Sequence, residues 1–313
     1  MAISTHSTAD FSAMQSQPAR VHAAFEPRQF FYNIHWRSRT YHAGANLTSH
    51  HGNGSDFAGF ANLLACPDPK RIDIRASVRT VPQQWLVRTY LERAAVRVFA
   101  IVDVSSSMLF QGEANMRQQV TEFVTALAWS ANRQGDVFGM AAANDDVQSS
   151  WQILPTFQTG TAQVVAEKIT RYWQSNHAVS GRNASAIPAA IEEIGAQRAL
   201  VFLISDFYWD TALLQQTLKA AQAHDVIPVV LRDQSATEGM PAFGWARLRD
   251  MESGEERSWM LRKHLHQQIG AHLVQQKHML NSQFMKAGTR SPLWLAPQWQ
   301  AEEISRHLME TMA

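Results

Sequence analysis

Residues Val98 to Val102 form an unbroken apolar run that ends in Asp103 and is followed by Ser105 and Ser107. A run apolar at every position has no wet face, so it reads as a strand buried on both sides, as in a parallel sheet covered by helices. In open α/β sheets ligands bind beyond the carboxyl ends of the strands. Asp103, Ser105 and Ser107 are therefore expected to converge in a tight turn, offering one carboxylate and two hydroxyls. Hard oxygens without sulfur or imidazole suit Mg²⁺. The competing reading is a strand end closed by turn-forming serines, one of them capping a helix.

Beyond Ser107 the chain alternates helices with apolar strands. Met116, Val120, Phe123, Val124, Leu127 and Ala131 recur at helical spacing and predict a helix over 115–132. Val137 to Ala142 is the next strand, Ser149 to Leu154 a shorter one at the sheet edge, and Val164 to Trp173 a second helix. A polar loop then holds Ser180, Gly181, Arg182, Asn183 and Ser185, ahead of a helix through Ile187, Ile191 and Ile194. Ala199 to Ile204 is a second buried strand, and it too ends in an acid, Ser205-Asp206. A helix through Leu213, Leu214, Leu218 and Ala221 leads to a strand at Val226 to Leu231. Pro228 places that strand at or near an edge. After a strand at Trp245 to Leu248, the pattern predicts helix over 255–286 and 301–312. Strands alternating with helices give an α/β fold, a doubly wound and mostly parallel sheet with C-terminal helices.

The chain ahead of this differs. Phe30 to Trp36 suits a strand, and Gly44, Gly52, Gly54 and Gly59 mark turns. Basic residues outnumber acidic ones here, which reads as a solvated face with pairs such as Arg71 with Asp73, or as a surface for an acidic partner or RNA. The expected division is a polar disordered tail over 1–20, a β-rich attachment over 21–94, and the α/β unit over 95–313.

Composition excludes several functions. A net charge of +1 over 313 residues gives no field to recruit nucleic acid or anionic membrane. No apolar run approaches a membrane span, and Met1 to Arg20 lacks the apolar stretch of a signal peptide. One cysteine, Cys66, excludes an internal disulfide and a cysteine-based zinc site. The cytoplasm is the simplest location. The thirteen histidines, among them His264, His266, His272 and His278, lack the carboxylate spacing of a zinc site. No Gly-x-Ser-x-Gly elbow, Walker A loop or His-Glu-x-x-His helix is present. Ser105 also breaks the Asp-x-Asp start of a phosphoryl-accepting aspartate.

Asp103-x-Ser105-x-Ser107 at one strand end, a hydroxyl in a later loop, and Asp206 at another strand end together resemble the metal-ion-dependent adhesion site of a von Willebrand factor A domain. The segment Asp68-Pro69-Lys70-Arg71-Ile72-Asp73-Ile74-Arg75-Ala76-Ser77 resembles the Gly-Asp-x-x-Arg-x-Ile-Asp-Trp stretch of a bacterial family, domain of unknown function 58. Asp233 through Pro241, Gly244 and Asp250-x-x-Ser-Gly254 resemble that family's later signature. The resemblance runs with gaps from Arg28 to Met312. Ile74 stands where the family has Trp, and Pro67 where Gly is usual.

The resemblance implies that Ser105, Ser107 and Ser185 lie nearest an ion, with Asn183 competing for the loop position. Asp103 and Asp206 would neutralise charge and orient coordinated waters. The ion would be Mg²⁺, with Mn²⁺ or Ca²⁺ as alternatives. Members of this family are often encoded beside MoxR-type AAA+ ATPases, which implies a partner rather than a substrate. The expected function is a non-catalytic, metal-dependent adaptor acting with such an ATPase in maturation or cofactor insertion. Its client complex, for example methanol dehydrogenase, would offer an Asp or Glu to the metal. The alternative is a Mg²⁺-dependent phosphohydrolase using the same acids.

Overall fold

The computed structural model describes residues 27–34, 36, 43–52, 56–80, 84–109, 115–175, 183–232, 244–249, 256–261 and 263–310. The expected tail over 1–20, loop residues Ser180, Gly181 and Arg182, and the stretches Asp233 to Pro241 and Asp250 to Gly254 lie outside them.

Three antiparallel strands come first: β1 (Ala43–Gly52), β2 (Asp56–Asn62) and β3 (Leu86–Ala94), in the order β1-β3-β2. Between β2 and β3 stands the short helix α1 (Ile74–Arg79), whose N-cap Asp73 accepts the Ala76 N–H at 3.0 Å. Capping settles the charges of this segment. Asp73 pairs with Arg88 across to β3 at 2.6 Å, and Arg71 pairs with Asp68 at 3.2 Å, so the expected Arg71–Asp73 pair gives way to these two.

The main sheet has six strands: β4 (Arg97–Asp103), β5 (Val137–Ala143), β6 (Ile153–Thr156), β7 (Leu200–Ser205), β8 (Asp225–Leu231) and β11 (Leu293–Leu295). Their order is β11-β8-β7-β4-β5-β6. All pairs are parallel except β5 with the edge strand β6. The helices are α2 (Met116–Arg133), α3 (Thr161–Ser175), α4 (Ile187–Glu192), α5 (Thr211–Ala220), α6 (Lys263–Lys286) and α7 (Ala301–Glu310). Side chains alternate across β4. Val98, Ala100 and Val102 pack with α2, α3 and α7, whereas Phe99 and Ile101 pack with α4, α5 and the end of α6. The Phe99 ring covers Gly139 so closely that a Cβ there would fall 2.6 Å from it. Pro228 sits second from the edge, and β11 reaches only Val229 to Leu231. Two residues earlier the Val226 carbonyl accepts Arg290 N–H on the outer side, so the missing Pro228 donor faces that same side.

α2 illustrates how these helices are set. Asn115 caps its start by accepting Gln118 N–H at 3.2 Å, and Gly135, at φ +73°, turns the chain out of its end. Between these ends Val120, Phe123, Val124 and Leu127 are fully buried.

Two expectations are corrected. Residues 27–34 form no strand. They run extended over the α/β core, where Phe30 stacks on Phe123 at 5.6 Å and gives its N–H to Ser130 Oγ at 3.0 Å. Phe31 N–H goes to Ser305 Oγ, and Tyr32 Oη donates to Asp136 at 2.7 Å. Side-chain acceptors on α2 and α7, with ~1.5–3 kcal/mol from burying each ring, replace a ladder. The stretch expected to be helical from 255 begins instead with a strand, β10 (Glu256–Leu261), paired antiparallel with β9 (Gly244–Arg249). Helix starts only at Lys263. Among the described residues no helix is long and apolar enough to cross a membrane.

Candidate functional site

β4 and β7 are parallel neighbours in register, Val102 opposite Ile204, so their carboxyl ends emerge side by side. The parallel ladder therefore places Asp103 and Asp206 on one rim, with 0% and 1% of their surface exposed. After β4 the chain folds over Asp103. Its Oδ1 accepts Ser105 N–H at 2.8 Å, and Met108 N–H returns to the Ser105 carbonyl at 3.2 Å. That turn brings Ser105 Oγ and Ser107 Oγ to 3.2 Å of each other.

After β7 the backbone turns sharply. Phe207 has φ +53°, a left-handed conformation that costs an aromatic residue ~1–3 kcal/mol. Phe207 N–H donates to Ser205 Oγ at 2.9 Å, and Tyr208 N–H to Asp206 Oδ1 at 3.1 Å. The Phe207 ring is wedged against Trp209 and Phe284, at 4.8 and 5.1 Å between centroids. The turn delivers the Trp209 indole N–H to Asp103 Oδ2 at 2.9 Å, beside the Ser205 hydroxyl on the same oxygen at 2.7 Å. Both oxygens of Asp103 are thus engaged by neutral donors.

Burial pushes the Asp103 carboxyl upward against those hydrogen bonds. Burial and then the Asp103 charge push Asp206 up to about 7, while the Ser107 hydroxyl, Tyr208 N–H and the Arg232 guanidinium pull it down. Among the described residues neither acid forms an ion pair with a Lys, Arg or His. No three His, Cys, Asp or Glu side chains among them converge there as they would in an imidazole- or thiolate-rich centre. The donor set is two carboxylates and neutral hydroxyls, and it fits a small hard cation.

Of the five residues named from sequence, four come together: Asp103, Ser105, Ser107 and Asp206. Ser185 reaches the same rim by another route. Asn183 N–H is held by Asp145 Oδ1 and Ala186 N–H by the Asn144 carbonyl, both at 2.8 Å, which pins their loop just past the end of β5. The Ser185 side chain is exposed and makes no hydrogen bond to the other four. The Asn183 carboxamide oxygen is already taken by Ser185 N–H at 2.9 Å, leaving the Ser185 hydroxyl as the freer loop oxygen. Sequence reasoning names Ser205 only as part of the strand end, and Trp209 not at all. Ser205 sits at a strand end facing a neighbour's acid, a signal within reach of register. Trp209 depends on the Phe207 turn, which leaves no mark in the sequence pattern.

The fold is similar to that of the conserved hypothetical protein BatB from Bacteroides thetaiotaomicron, at 14% identity and TM-score 0.43, over 69% of this chain and 98% of that one. It is also similar to an aerotolerance-related membrane protein from Bacteroides fragilis, solved with multiple mutations to serines, at 14% identity and TM-score 0.41, with the same shares covered. Proximal thread matrix protein 1 from the mussel byssus matches over 44% of this chain and 37% of its own, at 18% identity and TM-score 0.32. No curated protein matches the sequence. Residues 67–278, which contain the whole rim from Asp103 to Asp206, match the profile described as "Protein of unknown function DUF58", and the chain belongs to that family.

Proposed function

We propose that this rim is a metal-ion-dependent adhesion site of von Willebrand factor A type, and that the chain is a non-catalytic adaptor. The observation that carries the reading is a pair of buried acids hydrogen-bonded by neutral donors, with no ion pair to either among the described residues, beside two hydroxyl oxygens 3.2 Å apart. An isolated buried carboxylate is costly, and two together more so, unless a cation joins them. Ser105, Ser107 and Ser185 are the residues to hold Mg²⁺, or Mn²⁺ or Ca²⁺ in its place. Asp103 and Asp206 set the charge and hold coordinated waters. Bound there, the ion supplies an open position for a carboxylate from another protein.

The partner we infer is a MoxR-type AAA+ ATPase, acting in the cytoplasm on a client complex in maturation or cofactor insertion. Methanol dehydrogenase is a candidate client from the family resemblance alone. The phosphohydrolase alternative needs Asp103 as a nucleophile. Three donors on its two oxygens, and complete burial, favour an orienting role instead.

The test is co-purification of the full chain with its ATPase. Chelation with EDTA should weaken the complex, and Ser105→Ala with Ser107→Ala should do the same with no further effect of EDTA. A complex that forms equally well under all these conditions overturns the reading. Metal-dependent phosphatase turnover that disappears in Asp103→Asn would establish the enzyme instead.

A further inference from the structure

Beside the acid pair runs a ladder of alternating rings and cations that supplies no oxygen to the rim and touches its electrostatics only through Arg232. Arg232 leaves the end of β8 and lies 4.4 Å from the Tyr208 ring centroid and 5.6 Å from that of Trp294. Lys277, exposed on α6, also lies 4.7 Å from the Trp294 ring centroid. Trp294 is fixed by its indole N–H to Asn281 Oδ1 at 3.3 Å, and Arg232 Nη1 by Gln276 Oε1 at 3.3 Å. Tyr208, 47% exposed, is the hinge between ladder and rim, because its own N–H rests on Asp206. Among the described residues neither cation forms an ion pair, although the Arg232 charge also reaches Asp206, and Lys277 stands exposed. Arg232 Nε is buried and lacks a hydrogen-bond partner, so a ligand would meet the terminal nitrogens of the guanidinium. Aromatic faces fix a guanidinium without neutralising it, which preserves its fork for an incoming carboxylate.

We infer that the Tyr208–Arg232–Trp294–Lys277 ladder is a second subsite for the partner, binding a protein segment with two acidic residues a short distance apart. This rests on the adhesion-site reading. One carboxylate goes to the rim and the next to Arg232 and Lys277. Charge complementarity selects the occupant: a buried anionic pair that attracts a cation lies next to unpaired cations that attract an anion. Tyr208 follows Asp206 by two residues, so the two subsites lie within ~7 Å of chain of each other at their nearest.

The experiment titrates the full-length chain, in Mg²⁺ and in EDTA, with two glycine-based pentapeptides read by tryptophan fluorescence. One carries a single Asp; the other carries that Asp and a Glu two residues later. In Mg²⁺ the two-acid peptide should bind ~5-fold tighter than the one-acid peptide. Arg232→Gln with Lys277→Gln should bring the ratio to one; Lys277→Gln alone, on an exposed side chain outside the rim, should lower the ratio and leave the one-acid affinity and the gain in melting temperature with Mg²⁺ intact. A wild-type ratio of one, or a ratio unchanged by the double variant, overturns the second subsite. If instead neither peptide shows any Mg²⁺ dependence, the rim reading itself fails and takes this inference with it. Should the double variant melt early, Lys277→Gln alone, on an exposed side chain, must still lower the ratio.

Discussion

The two ends of the main sheet treat buried acids in opposite ways. At the amino end Asp225 opens β8 and is bound by Arg290 through two hydrogen bonds, with side chains only 10% and 6% exposed. Trp36 adds an indole N–H at 3.2 Å. Asp136, at the start of β5, accepts Val96 N–H and the Tyr32 hydroxyl. Each acid there is closed off by protein groups that tie the N-terminal strap, β11 and the sheet together. At the carboxyl end Asp103 and Asp206 lie together with hydroxyl, amide and indole donors and, among the described residues, no ion pair, only the more distant Arg232 charge. In the first arrangement each acid has its partners, although Arg290 Nη1 is left without one. The second leaves an unfavourable electrostatic interaction in place, and functional sites are where folds tolerate that cost.

The sharpest way to break the contrast is to make the amino end resemble the carboxyl end. Arg290→Gln strands Asp225 inside the protein and should cost ~3–5 kcal/mol, the loss seen when one partner of a buried pair is removed. Urea denaturation measures it. A loss below ~1 kcal/mol would mean that the pair is as dispensable as a surface bridge.

The converse change acts on the other rim. With the Asp206 carboxyl pushed up to about 7, against ~3.9 in an unfolded chain, the folded state binds more protons than the unfolded one between those values. Stability in EDTA should therefore fall as pH rises from about 4 to about 7, by up to ~4 kcal/mol. Asp206→Asn keeps the shape without the charge, so it should flatten this slope and be the more stable protein at pH 7.5. Thermal melts at pH 5 and 7.5 decide it, and a wild-type slope of the opposite sign would refute the repulsion.

These contrasts mark how far the sequence can be read. Val98 to Asp103 and Ala199 to Asp206 announce buried strands ending in acids, and parallel direction then places both acids on one rim. Asp225 also abuts an apolar run, but precedes it, and only strand direction separates the closed end from the open one. Phe30 to Tyr32 has strand composition because its side chains alternate between buried and exposed; its acceptors, however, are Ser130 and Ser305, far away in sequence. The strand Glu256 to Leu261 is hidden because Leu261 also falls on the four-residue spacing of Leu265 and Ile269 in the helix after it, so boundary and type are both lost. The Trp209 contact rests on one left-handed residue, and Arg232 meets Trp294 only through the β8–β11 pairing.

Cation binding should sharpen the difference between the ends. Mg²⁺ at a hundred times its Kd should stabilise the chain by ~2.7 kcal/mol through mass action. The increment should survive in Arg290→Gln, whose lesion lies at the far rim, and vanish in Asp206→Asn. Differential scanning calorimetry with and without Mg²⁺ tests both. An increment lost in Arg290→Gln but kept in Asp206→Asn would place the ion at the wrong end of the sheet.

The smallest expected effect separates residues that hold the ion from residues that hold the acids. Ser107→Ala and Trp209→Phe each remove one neutral donor, from Asp206 and from Asp103 respectively. Ser107→Ala deletes no core volume and should cost only ~0.5–1.5 kcal/mol in EDTA, whereas Trp209→Phe also trims a ring packed on Phe207 and should cost somewhat more. Their responses to Mg²⁺ should nevertheless diverge. Ser107 Oγ lies 3.2 Å from Ser105 Oγ and is an oxygen the ion would share, so its loss should remove most of the increment. Trp209 offers no oxygen and only steadies Asp103 from behind; its replacement should leave an increment close to wild type, at a somewhat weaker Kd. The two melting series, run side by side at pH 7.5, separate direct coordination from support. If Trp209→Phe abolished the response and Ser107→Ala kept it, the hydroxyls would be turn-formers and the proposed oxygen shell would be wrong.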